Sequence, residues 1–572
     1  MGNLQDFVYA LEVGSLRQWL VRLGVVTLLG GVGVFYFVKH FNGLNHQESM
    51  DSAQLSRQIA RGEGYTTKFL RPVQLRLMRE QVGTLEQAVP DVMTPPVYPV
   101  IGAALFKLAG ANFVVDSERL RDFTVFSPER LMVLFNLGCT MLATVVLYLW
   151  MIRAFDSRVA TTAVILFAVS DMIWSSAVWG LSTSFILLLI CLLGFLVNES
   201  LISEENDGHG LAMFWFFLAS CLVGVLILTH YGLIVCWPAL IGLGALAYFR
   251  RWPMILLALF IPLLMISPWL YRNYELTGNP FGFSWFSVFA DNGRYPGNLL
   301  WRTYDLNGIP ANLKLLGRAL ALGLGNVFSN PGAFTGGFIP LTLAVAGCLH
   351  MFRRHRCQAS RWFWLAVFLG VMAGTALLVK ERPVSGLPAS NLILFLLPVL
   401  CGFGAAFAFV LLDRLRLPTQ FLIYPLVGIL CLIQAFPLGL SVIKAGAPPF
   451  AYPPYFPPVI FLIKNWIEPE EVMCSDIPWA VAWYADRQCI WLPSEREEFF
   501  LLSDFEIRVA AILLTPESQQ NDLYMDIDNG VYKDWADVIT RREFRNLPLP
   551  SVTVLPPNKD DYFIMADRPR WQ

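Results

Sequence analysis

WLVRLGVVTLLGGVGVFYFV (Trp19–Val38) is followed at once by polar sequence that opens with NHQESMDSAQLSRQIARGEGYTTKFLRP (Asn45–Pro72), and this pairing decides the fold class. A helix needs ~20 mostly apolar residues to cross a bilayer, because lipid offers no partner to an unpaired backbone amide. The first stretch meets that length. It is too long, and too poor in small residues at its end, for a cleaved signal peptide, so it reads as a true span or an uncleaved anchor.

Working outward, the same pattern recurs near 131–151, 159–178, 180–198, 211–229, 231–249, 253–270, 333–352, 362–379, 390–412 and 419–443. This predicts a polytopic helix bundle of about eleven spans. The division is least regular around Asp171, in FAVSDMIWSSAVWGLSTSF (Phe167–Phe185), which reads as a break between two spans or as one interrupted pair. Composition agrees: of 572 residues, 56% are hydrophobic, 14% aromatic and only 15% charged. A soluble chain carries closer to ~25% charged residues. The net charge of −1 balances 42 basic against 43 acidic residues, which leaves no global field for nucleic acid.

Lys and Arg favour short cytoplasmic loops. Arg17 and Arg22, Arg153 and Arg158, Arg250 and Arg251, the group Arg353, Arg354, Arg356 and Arg361, and Arg414 and Arg416 fall in loops of one parity. The expected orientation is N-terminus inside and C-terminus outside. Two loops, about 40–130 and 271–331, and a tail from 444 to 572 then face the extracytoplasmic side. The tail begins with a stiff linker, GAPPFAYPPYFPP (Gly446–Pro458). Its short β-like runs, VMCSDIP, CIWLP and VAAILLT, alternate with helix-like stretches and predict a small α/β domain, set apart from a membrane domain over 1–443.

The ten cysteines show no CxxC spacing, and eight lie in or beside spans, where Cys packs as a small apolar residue. Cys474 and Cys489 share the tail, as a disulfide or as two core thiols.

The chemistry-bearing stretch is the polar one quoted first. Glu48 and Asp51 stand three apart at the start of a helical pattern, so both carboxylates share a face. Gly62 or Gly64 suits a left-handed cap at its end. Such a pair can activate an acceptor hydroxyl or hold a divalent cation. Acidic residues in a first turn are also favoured by the helix dipole alone, by ~0.3–1 kcal/mol. Both readings stand on the residues.

ESMDSAQLSRQIARGEGY (Glu48–Tyr65), followed by TPPVYPVIGAALFKLAG (Thr94–Gly110), resembles the first outer loop of the type C membrane glycosyltransferases, the superfamily of protein O-mannosyltransferases and aminoarabinose transferases. Ser56, Arg57, Gly62, Gly64 and Tyr65 match the helix end, and Pro95, Pro96, Tyr98 and Pro99 match the second element. PERLMVLFNL (Pro128–Leu137), FDSRVATTAVILFAVS (Phe155–Ser170) and SPWLYRNYELTGNPFG (Ser267–Gly282) fit the same pattern. Three features depart from it. Glu48-Ser49 stands where an acidic pair is usual, Met93-Thr94 precedes the Pro-Pro pair with Asp91 just upstream, and Ser390-Asn391 replaces a frequent Arg.

The resemblance implies inverting transfer of a sugar from a polyprenyl-phosphate donor to a glycan, lipid or protein acceptor at the outer face of the cell (inner) membrane. Glu48, with Asp51, is then the catalytic base. Lys68, Arg71, Arg272 and Arg382 are candidates for the donor phosphate, although each Arg also suits snorkelling to headgroups. Asp91, Tyr65 and His230 are candidates for substrate contact, with an interfacial anchor beside Tyr231 the other reading of His230. His46 reads as a solvated loop residue or a substrate contact. SDIPWAVAWYADRQCIWLP (Ser475–Pro493) reads first as packing and second as cover for the site. No cofactor is firmly implied beyond a possible divalent cation. Rival readings are a transporter or flippase, for which Asp171 is the one intramembrane candidate, and a non-catalytic assembly protein.

Overall fold

The computed structural model describes residues 15–83, 88–115, 125–248, 251–290, 297–304, 313–351, 354–378, 391–414, 423–444, 446–519, 532–540, 547–557 and 561–571. Every apolar stretch expected to span carries helix. The first falls within α1 (Ser15–His40). Among the described residues, seven helices are long and apolar enough to cross a bilayer. They run from Ser127–Ala154 through Thr183–Glu205, His209–Thr229, Trp252–Thr277, His355–Leu378 and Leu392–Arg414 to Ile423–Ile443. The protein is a multi-pass membrane protein.

An eighth span forms if Ser157–Ala168 and Asp171–Val178 count together; they meet at 51°, at the irregularity seen near Asp171. Asp171 itself accepts a hydrogen bond from the Tyr36 hydroxyl and a second from Ser175 Oγ at 3.4 Å. The stretches near 231–249 and 333–352 form shorter apolar helices, Tyr231–Ala247 and Phe338–Leu349. Among the described residues, full-length apolar helices thus number seven, or eight with the bent pair, and the remaining stretches carry the first helix and the two shorter ones.

Three short helices follow the first span: α2 (Gln47–Arg61), α3 (Pro72–Val82) and α4 (Val97–Leu108). α2 ends at Gly62, whose φ of 82° lets its N–H reach back to the helix carbonyls. Although its sequence is polar, every residue of α2 from Ser49 to Gln58 is buried. It lies between α4 and the tail segment Pro478–Ala485. Its approach to α4 requires glycine: a Cβ at Gly102 would stand 2.4 Å from Ser56 Oγ. Tyr98 in α4 donates to Gly180 O at 3.1 Å and exchanges hydrogen bonds with Asn136, which pins α4 to the membrane helices.

The tail builds a six-stranded sheet in the order β1-β3-β2-β4-β6-β5, from β1 (Phe69–Leu70), β2 (Val472–Ser475), β3 (Gln488–Trp491), β4 (Val509–Leu514), β5 (Ser551–Leu555) and β6 (Tyr562–Ala566). The first four are parallel neighbours and the last two pair antiparallel. β1 comes from the first loop, with Phe69 opposite Cys489. The sheet is thus shared between two segments that the sequence places apart. Strand parity also answers the cysteine question. Cys489 stands opposite Met473, and Cys474 opposite Ile490. The two side chains leave opposite faces of the sheet, into separate cores, and both thiols are free.

Candidate functional site

A cavity of about 820 Å³ opens where α2, α4, the ends of several membrane helices and the tail sheet meet. Glu48, Asp51, Arg71, Tyr98, His230 and Trp491 are among its lining residues. The first two turns of α2 deliver Glu48 and Asp51 to one wall, as their spacing predicts. Arg71 comes from the junction of β1 and α3, so the strand pairing of Phe69 and Leu70 sets its place. Its guanidinium stacks 4.0 Å from the Phe69 ring centre, and Phe69 in turn packs on Trp479 and Trp491 of the tail.

The two carboxylates have different surroundings. Asp51 is buried, pairs with Arg71 Nη2 at 3.1 Å and accepts from Gln54 Nε2 at 3.0 Å. Glu48 opens onto the cavity and makes no ion pair among the described residues. Protein surrounds that open cavity, and the resulting desolvation pushes the Glu48 carboxyl above the ordinary range; its own backbone amide and Arg71 oppose this and the Asp51 charge adds to it. Arg71 Nη1 is buried and meets no acceptor among the described residues.

Tyr65, Asp91 and Arg272 form a brace behind the lining. Arg272 donates to Asp91 O at 2.9 Å and to Tyr65 O at 3.4 Å, and lies over the rings of Trp269 (4.6 Å) and Tyr65 (5.5 Å). The Tyr65 hydroxyl donates to Thr94 O at 3.0 Å and Pro95 O at 3.2 Å. Two motifs that resembled one family at separate places in the sequence are thereby bolted together. The Asp91 carboxylate accepts from Thr94 N at 2.8 Å and Met93 N at 3.3 Å, while its Oδ1 is buried without a partner. Burial, then the Asp51 charge, raise its pKa from 3.8 to about 6 against the pull of Arg71, the Thr94 amide and Arg272.

His230 lines the cavity, with Nδ1 accepting from Gly232 N at 3.1 Å. His46 is a half-buried residue just before α2: its ring sits 4.7 Å from that of Trp179, and burial lowers its pKa to about 4, so it is neutral near pH 7. Lys68 points away from the lining and binds Asp486 at 2.6 Å, together with Arg61 at 2.7 Å and Arg57 at 3.0 Å. Burial alone would raise the Asp486 carboxyl, but the three cations outweigh it and hold it well below the usual range. Arg382 lies outside the described residues.

The tail segment Ser475–Pro493 takes both roles read from its sequence, mostly packing and in part a wall of the cavity. Trp491 is a cavity wall, while Trp479, Trp483 and Tyr484 are packed in the core. Arg57 donates to the carbonyls of Ala482 and Trp483, both at 2.6 Å, and Trp483 Nε1 donates to Glu129 at 2.8 Å. The signal for the Trp491 strand was present in CIWLP, but its partner, two residues long, has no periodicity to read.

No protein-family model matches the chain, and no curated protein matches it in sequence. Solved structures do. ArnT from Cupriavidus metallidurans, bound to undecaprenyl phosphate, is similar over 95% of this chain and 98% of its own, with a TM-score of 0.54 at 15% identity. The oligosaccharyltransferase AglB from Archaeoglobus fulgidus, with an inhibitory peptide and a dolichol-phosphate, is similar over 88% of this chain and 70% of its own (TM-score 0.54, 12% identity). The Archaeoglobus fulgidus oligosaccharyltransferase was also solved with zinc and sulfate, and aligns at a TM-score of 0.53 and 11% identity over 88% of this chain and 69% of its own.

Among the described residues no three His, Cys, Asp or Glu side chains converge, and Asp51 is already engaged by Arg71 and Gln54. The overall architecture, at these identities, is what the likeness establishes: the chain has the fold of the type C membrane glycosyltransferases that ArnT and AglB represent.

Proposed function

We propose that this protein transfers a sugar, with inversion, from a polyprenyl-phosphate donor to an acceptor at the extracytoplasmic face of the cell (inner) membrane. The observation that carries the reading is Glu48: a carboxylate with no fixed cationic partner among the described residues, facing a large cavity beside an arginine with an unused donor. A lipid-linked donor cannot leave the bilayer, so a base for this reaction must wait at its surface. In our reading Glu48 takes the proton from the acceptor hydroxyl. The oxygen then bonds to the anomeric carbon, and the bond from that carbon to the phosphate oxygen breaks, releasing polyprenyl phosphate.

Asp51, fixed by Arg71 and Gln54, holds the guanidinium that receives the negative charge growing on the leaving phosphate. An arginine preorganised in this way stabilises that charge without moving at the moment of reaction. Arg272 acts one layer back, since its contacts are the Asp91 and Tyr65 carbonyls, and it keeps the wall in register. The raised pKa of Glu48 suits a base, because proton affinity closer to working pH strengthens its pull.

The test is transfer of labelled sugar from a polyprenyl-phosphate donor by purified protein. Glu48→Gln should lower the rate by ~10²–10⁴-fold, the usual contribution of a general base. Full activity in both Glu48→Gln and Asp51→Asn refutes the assignment.

A further inference from the structure

A second cavity, of about 300 Å³, lies apart from the site, among the helices Phe338–Leu349, His355–Leu378 and Leu397–Arg414. Its walls are apolar, among them Ala344, Leu349, Phe368 and Phe403, and among the described residues the only charged group on them is Arg361. Arg361 is 3% exposed. Its Nη1 is spent on the carbonyls of Cys348 and His350, where the helix Phe338–Leu349 ends. Its Nε is buried and meets no acceptor among the described residues, and the same holds for Nε1 of Trp364, which also lines the cavity one helical turn on. No ion pair to Arg361 occurs among the described residues.

A buried cation is costly unless an anion and further hydrogen bonds satisfy it. Closing a helix end accounts for one of its nitrogens, and the Trp362 ring, 4.7 Å from the guanidinium carbon, faces the charge, but no anion balances it and the two donors are left over among the described residues. Around the cavity, Val345, Leu349, Trp362 and Leu369 are exposed on an apolar flank of the kind that meets acyl chains. From these features we propose that the cavity is a binding site for an anionic phospholipid: the phosphate is held by Arg361 and Trp364, and a segment of one acyl chain fills the apolar cleft. The ligand's two halves match the two halves of the site, an anion for an unpaired guanidinium and hydrocarbon for a dry wall. The site is independent of the transfer reaction.

The full-length protein, purified in a neutral detergent, would be titrated with phosphatidylglycerol, phosphatidylcholine, inorganic phosphate and undecaprenyl phosphate, with binding read by native mass spectrometry. Phosphatidylglycerol should bind at least about tenfold more tightly than phosphatidylcholine, the ratio that one charge-assisted contact of ~1.4 kcal/mol yields. Arg361→Gln should erase that preference. Val345→Trp fills the mouth of the cleft but leaves the arginine and its helix-end carbonyls in place, and should cut phosphatidylglycerol binding by a similar factor, so a folding failure of the first variant does not decide the matter. Equal binding of the two phospholipids overturns the proposal, as does unchanged preference in both variants. Displacement of phosphatidylglycerol by phosphate alone, or by undecaprenyl phosphate at equal concentration, also overturns it, because the occupant is then another phosphate.

Discussion

Replacing Arg71 with Gln removes the only cation paired with Asp51 among the described residues. The two side chains are 4% and 6% exposed and meet at 3.1 Å. Stripping one partner from a buried pair typically costs ~3–5 kcal/mol. Asp51 retains its bond from Gln54, and the pair borders an open cavity, so the lower end applies, about 3 kcal/mol. Asp51→Asn should also destabilise the protein, by stranding Arg71, but the double variant should not suffer the sum of the two losses.

A double-mutant cycle on unfolding free energies in detergent should return a coupling of about 1–3 kcal/mol. The same change has a consequence for pH. Arg71 is the cation that opposes the upward shift of the Glu48 carboxyl, so Arg71→Gln raises that pKa further. A base must be ionised, so the acid limb of the transfer rate should move to higher pH in the variant. Additivity of the two substitutions within ~0.5 kcal/mol would refute the pairing, and an unmoved acid limb would refute the link to Glu48.

Asp91 binds its proton more tightly folded than unfolded, so its protonated form contributes stability that is complete below about pH 3.8 and is lost as pH rises through about 6. Asp91→Asn should therefore gain stability relative to wild type at pH 8 and show little gain at pH 4, as read from melting temperatures. Asp486 shifts the other way: its stabilising charge is present above the ordinary carboxylate range and fades as pH falls through its depressed pKa. Asp486→Asn should cost about 2–4 kcal/mol at pH 7, because buried Arg57 loses its counter-ion, with the gap to wild type closing in strong acid. Gly282 has φ +57°, and a Cβ there would lie 2.1 Å from Val92 O, next to Asp91; Gly282→Ala should destabilise the protein by at least ~1–2 kcal/mol and lower transfer activity.

The parts of this fold that sequence reveals are those governed by local rules. Apolar length found the helices, down to the break at Asp171, and glycine found the end of α2 at Gly62. The spacing of Glu48 and Asp51 put both on the cavity wall. What was hidden depends on partners far along the chain. Lys68 looked like a phosphate ligand because it follows the Gly-Tyr turn, yet Asp486 claims it. Arg272 looked equally suited, yet two backbone carbonyls take its donors. The Phe69–Leu70 strand, which aims Arg71, is too short for any period to betray it.

The strand shared between the first loop and the tail also sets an order of events during synthesis. Arg57 and the carbonyl it binds at Trp483 are 426 residues apart. At a ribosomal rate of ~5–20 residues per second, that interval is roughly 20–85 s. Throughout it the carboxylate helix is translated and near the membrane while its clamp does not yet exist. A chain stopped before β3 has Glu48 and Asp51 but not the strand that aims Arg71, so the synthesis of β3 works as the switch that turns a bundle of inserted helices into an assembled site.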